Sequence, residues 1–219
     1  MCGWLMSNKV PTGALRNSPK QPVARVLFCH GAGAPMDSAF MNTMTELLCG
    51  YSLDVVRIEF PYMAERRQTG KRRPPNPMPQ LLEFLAQQVR AWSAFDHLPL
   101  FVAGKSMGGR VAAMLDLPEV RAVIALGYPL HPAGKPEKLR LEPLLVRRCP
   151  LLVVQGDRDL LGNRAEFEAL ALPESVVLHW LADGDHDLKP RVKSGLSHID
   201  HMQRAAQLIA NFTSDLIAH

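Results

Sequence analysis

Gly104-Lys105-Ser106-Met107-Gly108-Gly109 places one serine among glycines, directly after the apolar run PLFVAG at 99–104 and before a helical stretch at 107–116. A chain that reverses from strand to helix in so few residues strains the serine backbone while neighbouring segments pass close by, so the flanking positions must be small. The turn lifts the Ser106 hydroxyl clear of the strand and sets it at a helix N-terminus, where the Met107 N–H is available to a developing oxyanion. The chemistry that fits is nucleophilic attack on an acyl carbon. GKS also invites a phosphate-cradling reading, but that pattern needs a glycine where Pro99 stands, and the intervening LFVA is strand rather than loop.

A serine hydroxyl is a weak nucleophile and needs a base, itself oriented by an acid. Both occur downstream, each just past an apolar run: Gly156-Asp157-Arg158-Asp159 after 150–156, and Asp183-Gly184-Asp185-His186-Asp187 after 176–181. His186 is the expected base. Asp159 is the expected acid, because a residue a little beyond the strand can lean toward a histidine on the next loop; Asp157 is the reserve. The first apolar run ends in His30-Gly31-Ala32-Gly33-Ala34, whose two glycines permit close backbone approach. The Ala32 N–H is expected as the second oxyanion donor beside Met107, with Gly33 as the alternative. His198 and His201 are expected on the exposed face of the last helix, and HxxH without a matching carboxylate gives no metal site.

The elements that must position these residues are legible as periodicity. Runs of continuous rather than alternating hydrophobicity at 24–29, 53–60, 99–104, 121–127, 150–156 and 176–181 predict six strands covered on both faces. Helical faces recur at 38–49, 79–95 and 107–116, and a last amphipathic helix carries Leu196, Ile199, Met202, Ala206, Ile209, Phe212 and Leu216. Alternating strands and helices predict an α/β, doubly wound, mostly parallel six-stranded sheet of order 2-1-3-4-5-6 with helices on both faces. In that order the connections leaving strands 1 and 3 depart to opposite faces and open a crevice at their carboxyl ends, where HGAGA and the Ser106 turn meet. Residues 1–23 are expected to be irregular, as are 61–79, rich in Pro and Arg, and 128–141, which is too short to be a lid domain.

HGAGA, GKSMGG, GDRD and GDHDL in that order resemble the α/β-hydrolase superfamily, over nearly the whole chain from about residue 24. HGAGAPMDSAFM, RIEFPYMAERRQTGKRRPP and AGKSMGGR are similar to a small lidless group within it. That group is similar to the hydrolase-like domain of an animal chromatin-complex regulatory subunit and to a testis-expressed relative. The resemblance implies a cap-free serine hydrolase using Ser106, Asp159 and His186. The chain is expected to depart from the superfamily in lacking sequence for a cap and for the first two antiparallel strands. A dienelactone-type enzyme is disfavoured, since that relative carries cysteine at the turn.

Composition bounds the partners. With 219 residues, 47% hydrophobic and 21% charged, the chain is long enough for one domain with a sizeable core. No apolar run reaches the roughly 18–20 residues needed to cross a bilayer, and no secretory leader is visible at the start, so a cytoplasmic protein is expected. Four widely spaced cysteines form no CxxC pair, and no cofactor or metal is called for. The net charge of +4 is concentrated at 57–73, which holds six basic residues against two acidic ones. A basic segment leaving the catalytic edge suggests an anionic acyl substrate engaged by Arg72 or Arg73. Without interleaved aromatic residues it disfavours nucleic acid. The rival reading is a non-catalytic interaction module that binds an acidic partner through residues 66–73.

Overall fold

The structure is a computed structural model that describes residues 13–146 and 148–218. Seven strands, β1 (Ala14–Asn17), β2 (Ala24–Cys29), β3 (Leu53–Ile58), β4 (Leu100–Lys105), β5 (Val120–Leu126), β6 (Leu151–Gly156) and β7 (Val176–Leu181), form one sheet. Its order is β1-β3-β2-β4-β5-β6-β7, parallel throughout except for β1, which runs antiparallel to β3. With β1 set aside, the order is the expected one.

The continuous hydrophobic runs have the physical cause inferred for them. Successive strand residues point to opposite faces, and each face has its own core. Val26 and Phe28 of β2 face one cluster, with α1 (Ala39–Gly50) and α7 (His198–Ala218) supplying Met41, Met44, Leu48, Met202, Ala206 and Ile209. Leu27 and Cys29 face the other. That second layer contains α3 (Met78–Ser93) and α4 (Met107–Met114), with two short helices, α5 (Glu142–Leu145) and α6 (Arg164–Glu168), beside them. Trp92, Val111, Leu144 and Phe167 are its contributions to the core.

Two stretches differ from the sequence expectation. Residues 14–17, expected to be irregular, form β1 and make the sheet seven-stranded. The strand is held at the edge by polar side chains: Arg16 Nε donates to Asp54 Oδ1 (2.8 Å), and Arg57 Nη2 donates to Asn17 Oδ1 (2.8 Å). A four-residue edge strand with only half-buried alternate positions carries no apolar run to be read. Residues 61–69 form a helix, α2 (Pro61–Thr69), where irregular chain was expected. Pro61 stands at its first turn, where its missing N–H costs nothing, and Gly70 ends it in the left-handed conformation at φ 69°. The segment 127–141, between β5 and α5, is irregular as expected. No helix among the described residues is long and apolar enough to cross a membrane.

Candidate active site

Ser106 sits between the end of β4 and the start of α4 with φ 52° and ψ −116°, a conformation that costs a non-glycine residue about 1–3 kcal/mol. Packing enforces it. A Cβ on Gly104 would lie 2.2 Å from the Gly108 carbonyl carbon, one on Gly108 would lie 2.6 Å from both the Cys29 and His30 carbonyl oxygens, and one on Gly109 would lie 2.7 Å from Gly104 O. Backbone therefore meets backbone on every side of the turn. The Ser106 N–H still donates to Leu126 O (2.9 Å), so the sheet ladder continues up to the reversal.

The hydroxyl meets a hydrogen-bonded chain. Ser106 Oγ lies 2.8 Å from His186 Nε2, and His186 Nδ1 lies 2.8 Å from Asp159 Oδ2. Asp159 is fully buried, with Oδ1 accepting from the Leu161 N–H (2.8 Å) and Oδ2 also accepting from Gln155 Nε2 (2.8 Å). An acid held by two other donors has a fixed orientation, which in turn fixes the imidazole. Of the two aspartates considered, Asp159 reaches His186, while Asp157 Oδ1 is buried without a partner. Gln155 was not singled out in the sequence. It also accepts from the Tyr128 N–H (2.7 Å) and so ties the strand-end loops to the acid; the only sign of it was an amide ending the otherwise apolar run LLVVQG.

The His186 loop is fastened from below by Lys105, the residue before the serine. Lys105 Nζ donates to His186 O (2.8 Å), lies 3.2 Å from Asp187 Oδ1 and stands over the Phe40 ring. Burial lowers the Lys105 pKa, and Asp187 works against that shift. Glycines again permit the approach, since a Cβ on Gly127 would lie 2.7 Å from His186 O and one on Gly156 would lie 2.4 Å from Asp185 O. Further along the loop, Leu188 is buried and its carbonyl accepts from His201 Nδ1 (2.8 Å). His201 is itself only 5% exposed, which corrects the expectation that it lies on the outer face of α7.

Across the crevice, the His30–Ala34 loop is held by β3 and α2. Buried His30 accepts the Phe60 N–H at Nε2 (3.0 Å), which leaves Nδ1 protonated and donating to Gly31 O (2.7 Å). The Tyr62 hydroxyl donates to Ala32 O (3.0 Å), and Arg66 Nη1 reaches Gly33 O (3.4 Å). Arg67 bridges Glu59 and Asp37, all four contacts falling between 2.8 and 2.9 Å. The Met107 N–H, at the first position of α4, has no partner within its own helix. Arg72 and Arg73 are exposed, and Arg73 pairs with Glu65 (2.8 Å); neither lines a cavity beside Ser106.

Two cavities meet at Ala32 and Ser106. One, of about 300 Å³, is lined by Phe40, Met41, Lys105, His186 and Asp187. The other, of about 530 Å³, is lined by Met107, Arg110, Pro129, His131, Arg140 and Leu161 among others. Among the described residues, no group of three or more His, Cys, Asp or Glu side chains could hold a metal ion.

Residues 22–214 match the family model described as an alpha/beta hydrolase domain. The chain belongs to the alpha/beta hydrolase family. Solved structures show the same fold: a dienelactone hydrolase from Anabaena variabilis is 22% identical, with a TM-score of 0.70 over 90% of this chain and 88% of that one. An alpha-beta serine hydrolase homologue from Coxiella burnetii is 18% identical, with a TM-score of 0.68 over 95% and 99% of the two chains. Est1E from Butyrivibrio proteoclasticus is 16% identical, with a TM-score of 0.69 over 94% of each. Within this alpha/beta hydrolase, Ser106, His186 and Asp159 stand at the carboxyl ends of β4, β7 and β6, where the fold opens to ligands.

Proposed function

We propose that this alpha/beta hydrolase is a serine hydrolase that cleaves an ester, thioester or related acyl bond. The observation that carries the reading is the chain Ser106 Oγ, His186 Nε2 and Nδ1, Asp159 Oδ2, each link at 2.8 Å. Ser106 attacks the carbonyl carbon while His186 takes its proton, and buried Asp159 stabilises the imidazolium that forms. The Ala32 and Met107 amides receive the oxyanion; each such donor is worth about 10²–10³ in turnover. His186 then passes the proton to the leaving group, and water repeats the sequence on the acyl-enzyme with the same base.

A fluorophosphonate probe is expected to add its mass to Ser106 in the folded protein, and Ser106→Ala is expected to lose about 10⁴-fold or more in turnover with an unchanged melting profile. Labelling that persists in the Ala variant, or undiminished hydrolysis by it, overturns the reading.

A further inference from the structure

The larger cavity beside Ser106 is lined by two arginines, Arg110 and Arg140, for which the described residues supply no paired carboxylate. Arg110 lies four residues beyond Ser106, on the same face of α4 one turn along, and its N–H donates to Ser106 O (3.0 Å). Arg140 comes from the end of the irregular segment 127–141. Its backbone is fixed there, the N–H donating to Leu130 O (2.7 Å) and the carbonyl accepting from the Tyr128 hydroxyl (2.8 Å). Among the described residues neither side chain forms an ion pair with a carboxylate. Among the described residues, Arg110 Nε is shielded from solvent without a hydrogen-bond partner, and the Arg140 side chain reaches the Pro129 carbonyl alone, at 3.4 Å. Burial, and after it repulsion by Arg110, lowers the Arg140 pKa. Two like charges brought together in a partly dry pocket without a counter-ion are relieved when an anion enters.

The chemistry decides which part of a substrate brings that anion. His186 lines the smaller cavity and is absent from the larger one. The proton taken from Ser106 leaves His186 for the departing alcohol or thiol, so the leaving group exits on the His186 side. The acyl chain then occupies the larger cavity, whose walls include the apolar Met78, Leu81, Pro129 and Leu161.

We propose that Arg110 and Arg140 form an anion-binding subsite for the acyl portion, so that the substrate is an ester or thioester whose acyl chain ends in a carboxylate. This rests on the serine hydrolase reading above. A guanidinium presents paired N–H donors that match a carboxylate bidentately, and Ser106, Arg110 and Arg140 line one cavity of about 530 Å³, which a short acyl chain can occupy. In the reaction the bond from the acyl carbon to the leaving oxygen or sulfur breaks and a Ser106 Oγ–carbon bond forms. Water then cleaves that bond, and the products are an alcohol or thiol and a free dicarboxylate.

The experiment compares the p-nitrophenyl half-ester of glutarate with the neutral p-nitrophenyl pentanoate. The native protein is expected to favour the anionic ester in kcat/KM by about tenfold or more, and Arg110→Gln or Arg140→Gln to reduce that ratio about ten- to a hundredfold. Arg140→Lys, which keeps the charge and guards against misfolding, is expected to retain part of the preference. Free glutarate is expected to raise the melting temperature of Ser106→Ala and not that of Ser106→Ala with Arg140→Gln. Hydrolysis of both esters at Ser106 without preference, with no glutarate stabilisation, overturns the subsite and leaves the hydrolase reading standing. Arginine-dependent glutarate stabilisation in a protein that hydrolyses neither ester and resists fluorophosphonate supports the anion site and overturns the hydrolase reading.

Discussion

Two groups of cations flank the Ser106 crevice, and they behave in opposite ways. Residues 66–73 form the most conspicuous positive stretch of the sequence, yet its contacts are largely internal: Arg67 to Glu59 and Asp37, Arg66 to Gly33 O, Arg73 to Glu65. Arg110 and Arg140 lie thirty positions apart, attract no notice in the sequence, and meet in a cavity without a carboxylate. Density of charge along a chain reports composition. Charge available to a ligand is what remains after the fold has paired the rest, and α2 uses its arginines to hold the His30–Asp37 connection in place.

The comparison breaks if the paired cations prove to be substrate contacts, and the largest effect that tests it is at Arg67. Arg67→Met leaves Glu59, 5% exposed, without its partner and releases Asp37, so a loss of about 1–3 kcal/mol is expected in urea denaturation, tempered by the half-exposed guanidinium. The preference for anionic over neutral esters is expected to survive that change. A smaller effect is expected at Arg191, another paired cation, which braces the His186 loop through Asp183. Hydrogen bonds from Arg191 hold the Asp183 pKa down to about 2, below the ordinary value near 3.9. A carboxyl with a depressed folded pKa stabilises fully above the unfolded value, and that contribution is lost as the pH falls through the folded one. The stability gap between native protein and Arg191→Met is therefore expected to be present above pH ~4 and to close as the pH falls toward 2. The smallest effect belongs to exposed Arg72 and Arg73. Replacing both with Ala is expected to change kcat/KM for the glutarate half-ester less than about threefold, by weak long-range attraction alone. A loss comparable to that of Arg140→Gln would return substrate recognition to this segment.

The core strands were legible because a strand covered on both faces is apolar at nearly every position: ARVLFC departs from that only at Arg25, which is buried against Asp54 and Asp96, and LLVVQG only at Gln155 and the closing glycine. Ser106, Asp159 and His186 could be picked out because each lies within a few residues of the end of such a run, and in a parallel sheet all those ends lie along one edge. What escaped notice has no local signature. The strand β1 pairs with only one neighbour and alternates between half-buried and exposed positions, so its sequence reads as loop. The helix α2 buries little beyond Tyr62 and Met63 and is fixed by ion pairs to distant acids. His201 reads as surface beside His198, because its acceptor, Leu188 O, comes from a loop thirteen residues earlier. Arg110 and Arg140 acquire meaning only when the segment 127–141 folds over α4, a tertiary event that no window of the sequence contains.

The close contacts at positions 104, 108 and 109 also constrain how this protein could acquire a different chemistry. Even a methyl group there would collide with main-chain atoms, whereas the hydroxyl of residue 106, in reach of His186, borders two cavities at once. Innovation in such a molecule is confined to a single reactive atom and to the walls that select what reaches it, while the hinge that presents the atom must be inherited intact.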